Sequence, residues 1–413
     1  MIGTNAPSRR QHVFSDGLWG MQIEVPYPKA LRCSEMVFTC GQCDLDAAGK
    51  PQRPGDLLGQ SARTMNHAYG VTAQAGAHPE DMARFQVFYA SDGTVDEDAY
   101  LGHLAASVRD AGGRRAYPIV MATPLPYFYY PGMMVEIDAV AMIGGGARPR
   151  QVAGEQPSWL PTPFAPALRA GELIHIGILA PRRTDGRVLA RGDAAAQTEI
   201  LLAELADRLS ALGANFGDLV KLNTYYVAAP GTWRKIAETR AKRFAHPGPA
   251  ATDIPLPALW PEGVLVRMDA IAMRGTDGAV LAKIYLSPEG LPRGPHAQPF
   301  APAVQCRDKV FIGAQAPLDE EGKVIDAGLV EPQTSRAMNS MGKLLALAGL
   351  DYRHVVKANT YYRGGPNPED LHANMQVRNR YYARPGPAST GVPLPEFDAP
   401  GQTLVLEAFA MSD

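Results

Sequence analysis

Three carboxylates stand inside three similar apolar runs: Asp138 in "EIDAVA", Asp269 in "RMDAIA" and Glu407 in "VLEAFA". An acid among apolar strand residues has two readings. It faces water as an ordinary strand carboxylate, or it lies at a partly dry surface where burial raises its pKa enough for general acid or base work. A second group surrounds the "NTYY" runs. Asn223 and Asn359 lie there, with Gln86 in the corresponding place near the start of the chain, and Arg84, Lys221 and Lys357 stand two residues before them. The amides read as core-facing strand residues, with substrate orientation as the alternative. The lysines read as exposed charges at a sheet end rather than as nucleophiles.

Cys40 and Cys43 form a CxxC, which suits a redox pair or half of a zinc site. A second CxxC is absent, and the matching positions are Gly177/Ala180 and Gly313/Ala316. Cysteine therefore reads as filling a small-residue slot. Glycine-rich phosphate loops, GxSxG, HExxH and paired metal-ligand spacings are all missing, so neither a metal nor a cofactor is expected.

The elements that must hold these residues are given by an internal repeat. Cys40, Gly177 and Gly313 match; so do Gly76, Gly213 and Gly349, and Arg84, Lys221 and Lys357. Each set is spaced by 137 and then 136 residues, and a fixed long period means a repeated structural module. The expected domains are 1–150, 151–280 and 281–413. In the third, "KVFIGAQAPL" predicts a strand and "GKVID" its hairpin partner. Ala337, Met338, Met341, Leu344, Leu345 and Ala348 have helical spacing, closed by Gly349 as a C′ residue. "HVVKANTYY" predicts a strand, "NPEDLHANMQVRNRYYA" a helix, and "QTLVLEAFAM" a last strand. The other two copies follow the same order.

A ββαβαβ unit puts both helices on one face of a mixed sheet, an α+β layer pair. Its other face must be buried, and the other copies are the natural partners. The expectation is three tandem units around a central β-barrel-like core, with helices outside and approximate threefold symmetry. Linkers are expected from Gly144 to Trp159 and from Gly275 to Pro295, the second carrying an edge strand in "AVLAKIYL".

The chain of 413 residues has a net charge of −2, which gives no support to a nucleic-acid or anionic-membrane partner. No apolar run approaches the ~20 residues needed to span a bilayer. The segment "MIGTNAPSRRQHVFSDG" lacks the apolar core of a secretory signal and reads as an irregular lead-in. Four cysteines in 413 residues suit a reducing, cytoplasmic setting.

Further motifs carry a family resemblance. They are Gly41, Gln42, Leu45, Asp46, Gly49 and Lys50; the "VVKANTYY" strand ending at Tyr362; a "PLP" turn paired with "EIDAVA", "RMDAIA" or "VLEAFA"; and "GPHAQ" from Gly294 to Gln298. Repeated in order, they resemble the Rid (reactive intermediate deaminase) family. The resemblance implies a chorismate-mutase-like fold and a fused pseudo-trimer with a pocket at each interface between copies. It also implies cofactor-independent hydrolysis of a small C–N substrate such as an imine, enamine or related amide.

In imine-hydrolysing members an arginine before the last two strands grips the substrate carboxylate, and a final-strand glutamate with a bound water assists hydrolysis. Asp138, Asp269 and Glu407 stand for that acid here. At or beside the arginine position this chain has Tyr117, Gly248 to Ala251, and Ala388/Ser389. None is arginine. Arg115, Arg384, His246 and Arg267 are the candidate replacements. Tyr27, Phe164 and His296 fill the N-terminal aromatic slot, and backbone amides near Gly41 or Ala314 are candidate oxyanion donors. The alternatives are a non-catalytic binder of small ligands or a specialised lyase or hydrolase on the same scaffold. The partner is a small-molecule substrate, and association beyond the single chain stays open.

Overall fold

The computed structural model describes residues 10–15, 17–144, 150–289 and 298–412. The first sheet uses β1 (Arg10–Val13), β2 (Ala30–Cys33), β3 (Met36–Thr39), β4 (Met82–Ala90), β5 (Ile119–Leu125) and β6 (Val135–Met142), with helices α1 (Leu57–Gln74) and α2 (Glu97–Asp110). The second uses β7 (Arg150–Ala153), β8 (Ala167–Ala170), β9 (Leu173–Leu179), β10 (Leu219–Val227), β11 (Gly248–Leu256) and β12 (Val266–Met273), with α3 (Ala194–Ala211) and α4 (Thr232–Ala241). The third repeat carries β13 (Lys283–Leu286), β14 (Phe300–Ala301), β15 (Ala303–Cys306), β16 (Lys309–Gln315), β17 (Val355–Arg363), β18 (Ala388–Leu394) and β19 (Leu404–Met411). Its helices are α5 (Val330–Leu347) and α6 (Glu369–Arg378).

The strand orders are β1-β2-β3-β6-β4-β5, β7-β8-β9-β12-β10-β11 and β13-β15-β16-β19-β17-β18. These are one topology three times. β14 leaves its own repeat and joins the second sheet beside β11.

Several local features go beyond the sequence reading. The "PLP" segments belong to full strands, β5, β11 and β18, parallel to β4, β10 and β17. The hairpin partner of β16 is β15, which precedes it, whereas "GKVID" contributes only the isolated bridge Leu318–Val324. The lead-in holds β1, and the linker from Gly144 holds β7. "AVLAKIYL" does supply an edge strand, β13.

The long helices end as expected. Gly76, Gly213 and Gly349 have φ of +88°, +73° and +72°, the left-handed conformation that lets a C′ residue close a helix without a Cβ clash. Asp56, Asp96 and Asp193 cap α1, α2 and α3 with side-chain oxygens, satisfying otherwise unpaired N–H groups.

The faces away from the helices meet in one buried cluster. It draws Phe38 and Ile119 from the first sheet, Leu168 and Val220 from the second, and Phe311 and Val356 from the third. Burying each such side chain contributes about 1.5–3 kcal/mol, which is why the bare sheet faces stay together. The sheets remain separate rather than forming one closed barrel, and they touch edge to edge in a ring. Gly41 N–H donates to Ser389 O (3.2 Å), joining β18 to the chain after β3. Ala165 N–H donates to Pro118 O (3.0 Å), joining the second repeat to the first. At the remaining edge Gly313 packs on Ala251, where an added Cβ would lie 2.6 Å from the Ala251 carbonyl oxygen. This crossing explains the matched set Cys40, Gly177 and Gly313: the position needs a small residue where one copy meets the next.

Candidate functional site

The predicted acids and amides converge on the axis of the ring. Strand alternation sends Arg84, Gln86 and Phe88 inward from β4, and the matching residues inward from β10 and β17. In each sheet the amide lies opposite the acid: Gln86 faces Asp138, Asn223 faces Asp269 and Asn359 faces Glu407. A register shift stands immediately before Arg84, Lys221 and Lys357. Such bulges re-aim a side chain.

Each cation reaches the acid of the neighbouring repeat. Arg84 Nη1 lies 2.9 Å from Asp269, Lys221 Nζ 2.6 Å from Glu407, and Lys357 Nζ 3.0 Å from Asp138. Thr252 and Thr390 complete two of the pairs, accepting from the lysines at 2.5 and 2.6 Å and donating to Glu407 and Asp138 at 2.6 and 3.1 Å. The lysines are therefore not exposed sheet-end charges; Lys221 is 6 % and Lys357 9 % exposed. Burial raises the Glu407 pKa, but the neighbouring Lys221 and hydrogen bonds from Thr252 and Asn359 outweigh it and leave the carboxyl below its usual range. The three acids thus lie in a cyclic, charge-compensated clamp between repeats. A cavity of about 100 Å³ runs beside them.

A second cavity, of about 40 Å³, opens between the first and third repeats. The first repeat contributes Tyr27, Lys29, Cys40, Gly41, Tyr129 and Glu136, and the third contributes Arg378 and Ser389. Glu136 stands two residues before Asp138 on β6, hence on the same sheet face but displaced from the axis. Burial drives its pKa from 4.5 to about 8, although Lys357, a hydrogen bond from Tyr129 and the Gly391 N–H oppose the rise. Tyr129 OH donates to Glu136 Oε2 at 3.2 Å. Gly41 makes room for this carboxyl, since a Cβ there would lie 1.7 Å from Glu136 Oε1.

Arg378, at the end of α6, is 1 % exposed. Its Nε donates to Asn374 Oδ1 (3.0 Å) and its Nη1 to Ser389 Oγ (3.1 Å). Among the described residues it has no carboxylate partner. Tyr27 lies beside it, with the ring centroid 5.8 Å from the guanidinium and a buried hydroxyl that lacks a hydrogen-bond partner among the described residues. Lys29 stacks over Trp19 at 3.1 Å, and burial lowers its pKa against the opposing pull of Cys40 and Cys43. Buried cations without acids can receive an anion, and a carboxyl that keeps its proton near neutrality can donate it.

The equivalent positions at the other interfaces are filled. Arg267 replaces Glu136 and is bound at 2.7 Å by Glu97 of α2, which also accepts from Tyr89 OH. Val405 replaces it in the third repeat. There Arg240 pairs with Asp253 at 2.6 Å and lies between the Trp233 and Phe300 rings.

Comparison with known proteins bears on this arrangement. A sequence model of the family described as "Endoribonuclease L-PSP" matches residues 160–274 and 293–411, together more than half of the chain. The chain belongs to this endoribonuclease L-PSP family. Its first repeat, which supplies most of the open cavity, lies outside the matched segments. Among curated family relatives, "3-aminoacrylate deaminase RutC" of Acinetobacter baylyi is 28% identical over 108 residues, covering 26% of this chain and 82% of its own. "Protein DfrA" of Myxococcus xanthus is 29% identical over 119 residues, covering 29% of this chain and 86% of its own. A solved chorismatase structure superposes with a TM-score of 0.52 over 80% of this chain and 93% of its own, at 14% identity. That likeness concerns the fold alone.

Within this family member, the other residues singled out by sequence are dispersed. Tyr117 is 42 % exposed. Arg115, His246 and Arg384 are exposed, and Arg384 pairs with Glu24. Arg267 is committed to Glu97. Gly41 N–H is spent on Ser389, and Ala314 sits in the irregular stretch of β16. His296 lies outside the described residues. The slot matching Tyr27 and Phe164 is taken by Phe300: Gly248 N–H donates to Pro299 O as Gly386 N–H donates to Pro26 O. Cys40 and Cys43 are buried free thiols; burial carries Cys40 to about 11, against the pull of Lys29 and Lys357. Sequence reasoning missed Glu136 and Arg378. For Glu136 the signal was available, because it shares a strand face with Asp138. For Arg378 there was none, because the cation comes from a helix of another repeat.

Proposed function

We propose that the cavity between the first and third repeats is the catalytic site, and that it hydrolyses a small anionic enamine or imine. The carrying observation is the pairing of a proton-bearing carboxyl, Glu136, with a guanidinium, Arg378, that has no acid partner among the described residues, in one buried cavity. Arg378 and the Tyr27 hydroxyl hold the substrate carboxylate. The Glu136 carboxyl gives its proton to the enamine carbon, forming an iminium ion. Water then adds to the C=N carbon, and the Glu136 carboxylate accepts the proton that this water loses. Collapse of the carbinolamine releases ammonia and leaves a carbonyl compound, so enamine and water balance the products.

Support comes from the family and from the relative described as a 3-aminoacrylate deaminase. The small volume of the cavity, about 40 Å³, favours a small molecule over the nucleic acid that the family's name suggests. Asp138, Asp269 and Glu407 are read as the interface clamp, not the proton donors.

The test is ammonia release from imines generated in situ by an amino-acid oxidase, and from 3-aminoacrylate. Wild type accelerates release over buffer, Glu136→Gln loses at least ~100-fold in kcat, and Arg378→Met raises KM. Absence of any acceleration by wild type overturns the reading.

A further inference from the structure

The axial cavity contains something the interface chemistry does not use. The period that matches the three repeats places Phe38, His175 and Phe311 at one level of the ring, so a histidine breaks an otherwise aromatic collar. His175 is 2 % exposed, lines the cavity, and among the described residues has no hydrogen-bond partner on either ring nitrogen. Two more unpartnered acceptors line the same cavity. Asn223 donates its Nδ2 to Asp269 (3.1 Å) and Asn359 its Nδ2 to Glu407 (2.9 Å), which fixes both amide orientations and leaves each Oδ1 free. Buried polar groups are almost always satisfied, so a coherent set of orphans around one cavity describes the ligand that would satisfy them.

We infer that the axial cavity is a second ligand site, which takes a small neutral molecule of the primary carboxamide type. Two N–H donors answer Asn223 Oδ1 and Asn359 Oδ1, a carbonyl oxygen answers the His175 N–H, and a compact alkyl group packs on Phe38, Phe311 and Phe409. Charge argues the same way. The cations Arg84, Lys221 and Lys357 are matched one for one by Asp269, Glu407 and Asp138. An anion would meet unpaired acceptor oxygens, and a cation would find every carboxylate already paired. The volume of about 100 Å³ suits a molecule of a few heavy atoms, and the half-buried Val140, Ile271 and Phe409 mark the mouth.

The probe is isobutyramide, titrated calorimetrically into the full-length chain, with isobutyrate and isobutylamine as charged counterparts. The amide is expected to bind saturably and the two ions not to bind. Phenylalanine already stands at the two matching positions, so His175→Phe keeps the fold; His175→Leu removes the nitrogens without filling the space. Each should weaken amide binding at least tenfold. Glu136→Gln should leave it unchanged, which separates this site from the interface cavity. No saturable binding, wild-type affinity in either His175 variant, loss of binding in Glu136→Gln, or a soaked crystal with only water in the cavity would each overturn the proposal.

Discussion

Replacing Glu136 by glutamine tests the electrostatic basis of the proposed site, apart from any substrate. The carboxyl moves from 4.5 to about 8 on folding because burial disfavours its charge. Between those values the folded chain holds a proton that the unfolded chain has lost. The stabilisation is therefore fully present below pH 4.5 and is lost as pH rises through about 8. At ~1.36 kcal/mol per pH unit, the whole span is worth about 5 kcal/mol, and the interval from pH 5 to pH 8.5 about 4 kcal/mol. Glutamine keeps the shape and cannot ionise. Urea denaturation of wild type and Glu136→Gln at both pH values isolates the term, because every other titrating group cancels in the double difference. The expected result is a gain of about 4 kcal/mol for the glutamine variant at pH 8.5 relative to pH 5. In parallel, wild-type turnover should fall as pH rises through about 8, since the proton donor is then lost. A double difference below about 1 kcal/mol would refute the claim that this carboxyl is buried and proton-bearing, and the mechanism built on it.

Other expectations follow from single contacts. Gly41→Ala sets a Cβ 1.7 Å from Glu136 Oε1, so kcat should drop roughly 100-fold and stability by about 1–3 kcal/mol, checked by steady-state kinetics and calorimetry. Lys357→Met strands Asp138 and should cost about 3–5 kcal/mol in denaturation, most of it recovered in Lys357→Met/Asp138→Leu; an additive double variant would deny the pair. Glu97→Ala leaves Arg267 buried without its acid and should cost a similar amount while kcat/KM stays at the wild-type value. A large loss of turnover there would place chemistry at the wrong interface.

What the sequence disclosed follows from the range of the interactions. Helices, their glycine ends and the strand carrying "NTYY" are local, and were legible from spacing. The period disclosed that bare sheet faces must meet. It did not disclose what they exchange: Lys357 and Asp138 are 219 residues apart, and nothing near Lys357 indicates a buried acid waiting for it. Read alone, a strand lysine is a solvated charge. The same limit shaped the choice of acid. Asp138, Asp269 and Glu407 drew attention because all three copies have an acid, yet a residue needed to hold copies together must recur in every copy. A residue that distinguishes one interface need not. Glu136 was passed over for that reason, and Phe300 was missed because the motif "GPHAQ" pointed four residues upstream of the slot that the period selects.

Carrying all three repeats on one chain allows such asymmetry. In a ring of identical subunits every interface has the same residues, so an arginine at the position of Glu136 would remove the acid from all three sites at once. Within one chain Arg267 costs only one. On the proposed reading one cavity carries the chemistry; at the other two, Glu97–Arg267 joins the first and second repeats as a buried ion pair, and Arg240 is held within the second repeat by the half-buried Asp253. The axial clamp stays threefold because each of its pairs spans a different boundary and none can substitute for another. The collar above it does not, and His175 is where it departs. The positions that differ between copies are therefore the ones to interrogate for ligands, and those that recur are the ones to interrogate for assembly.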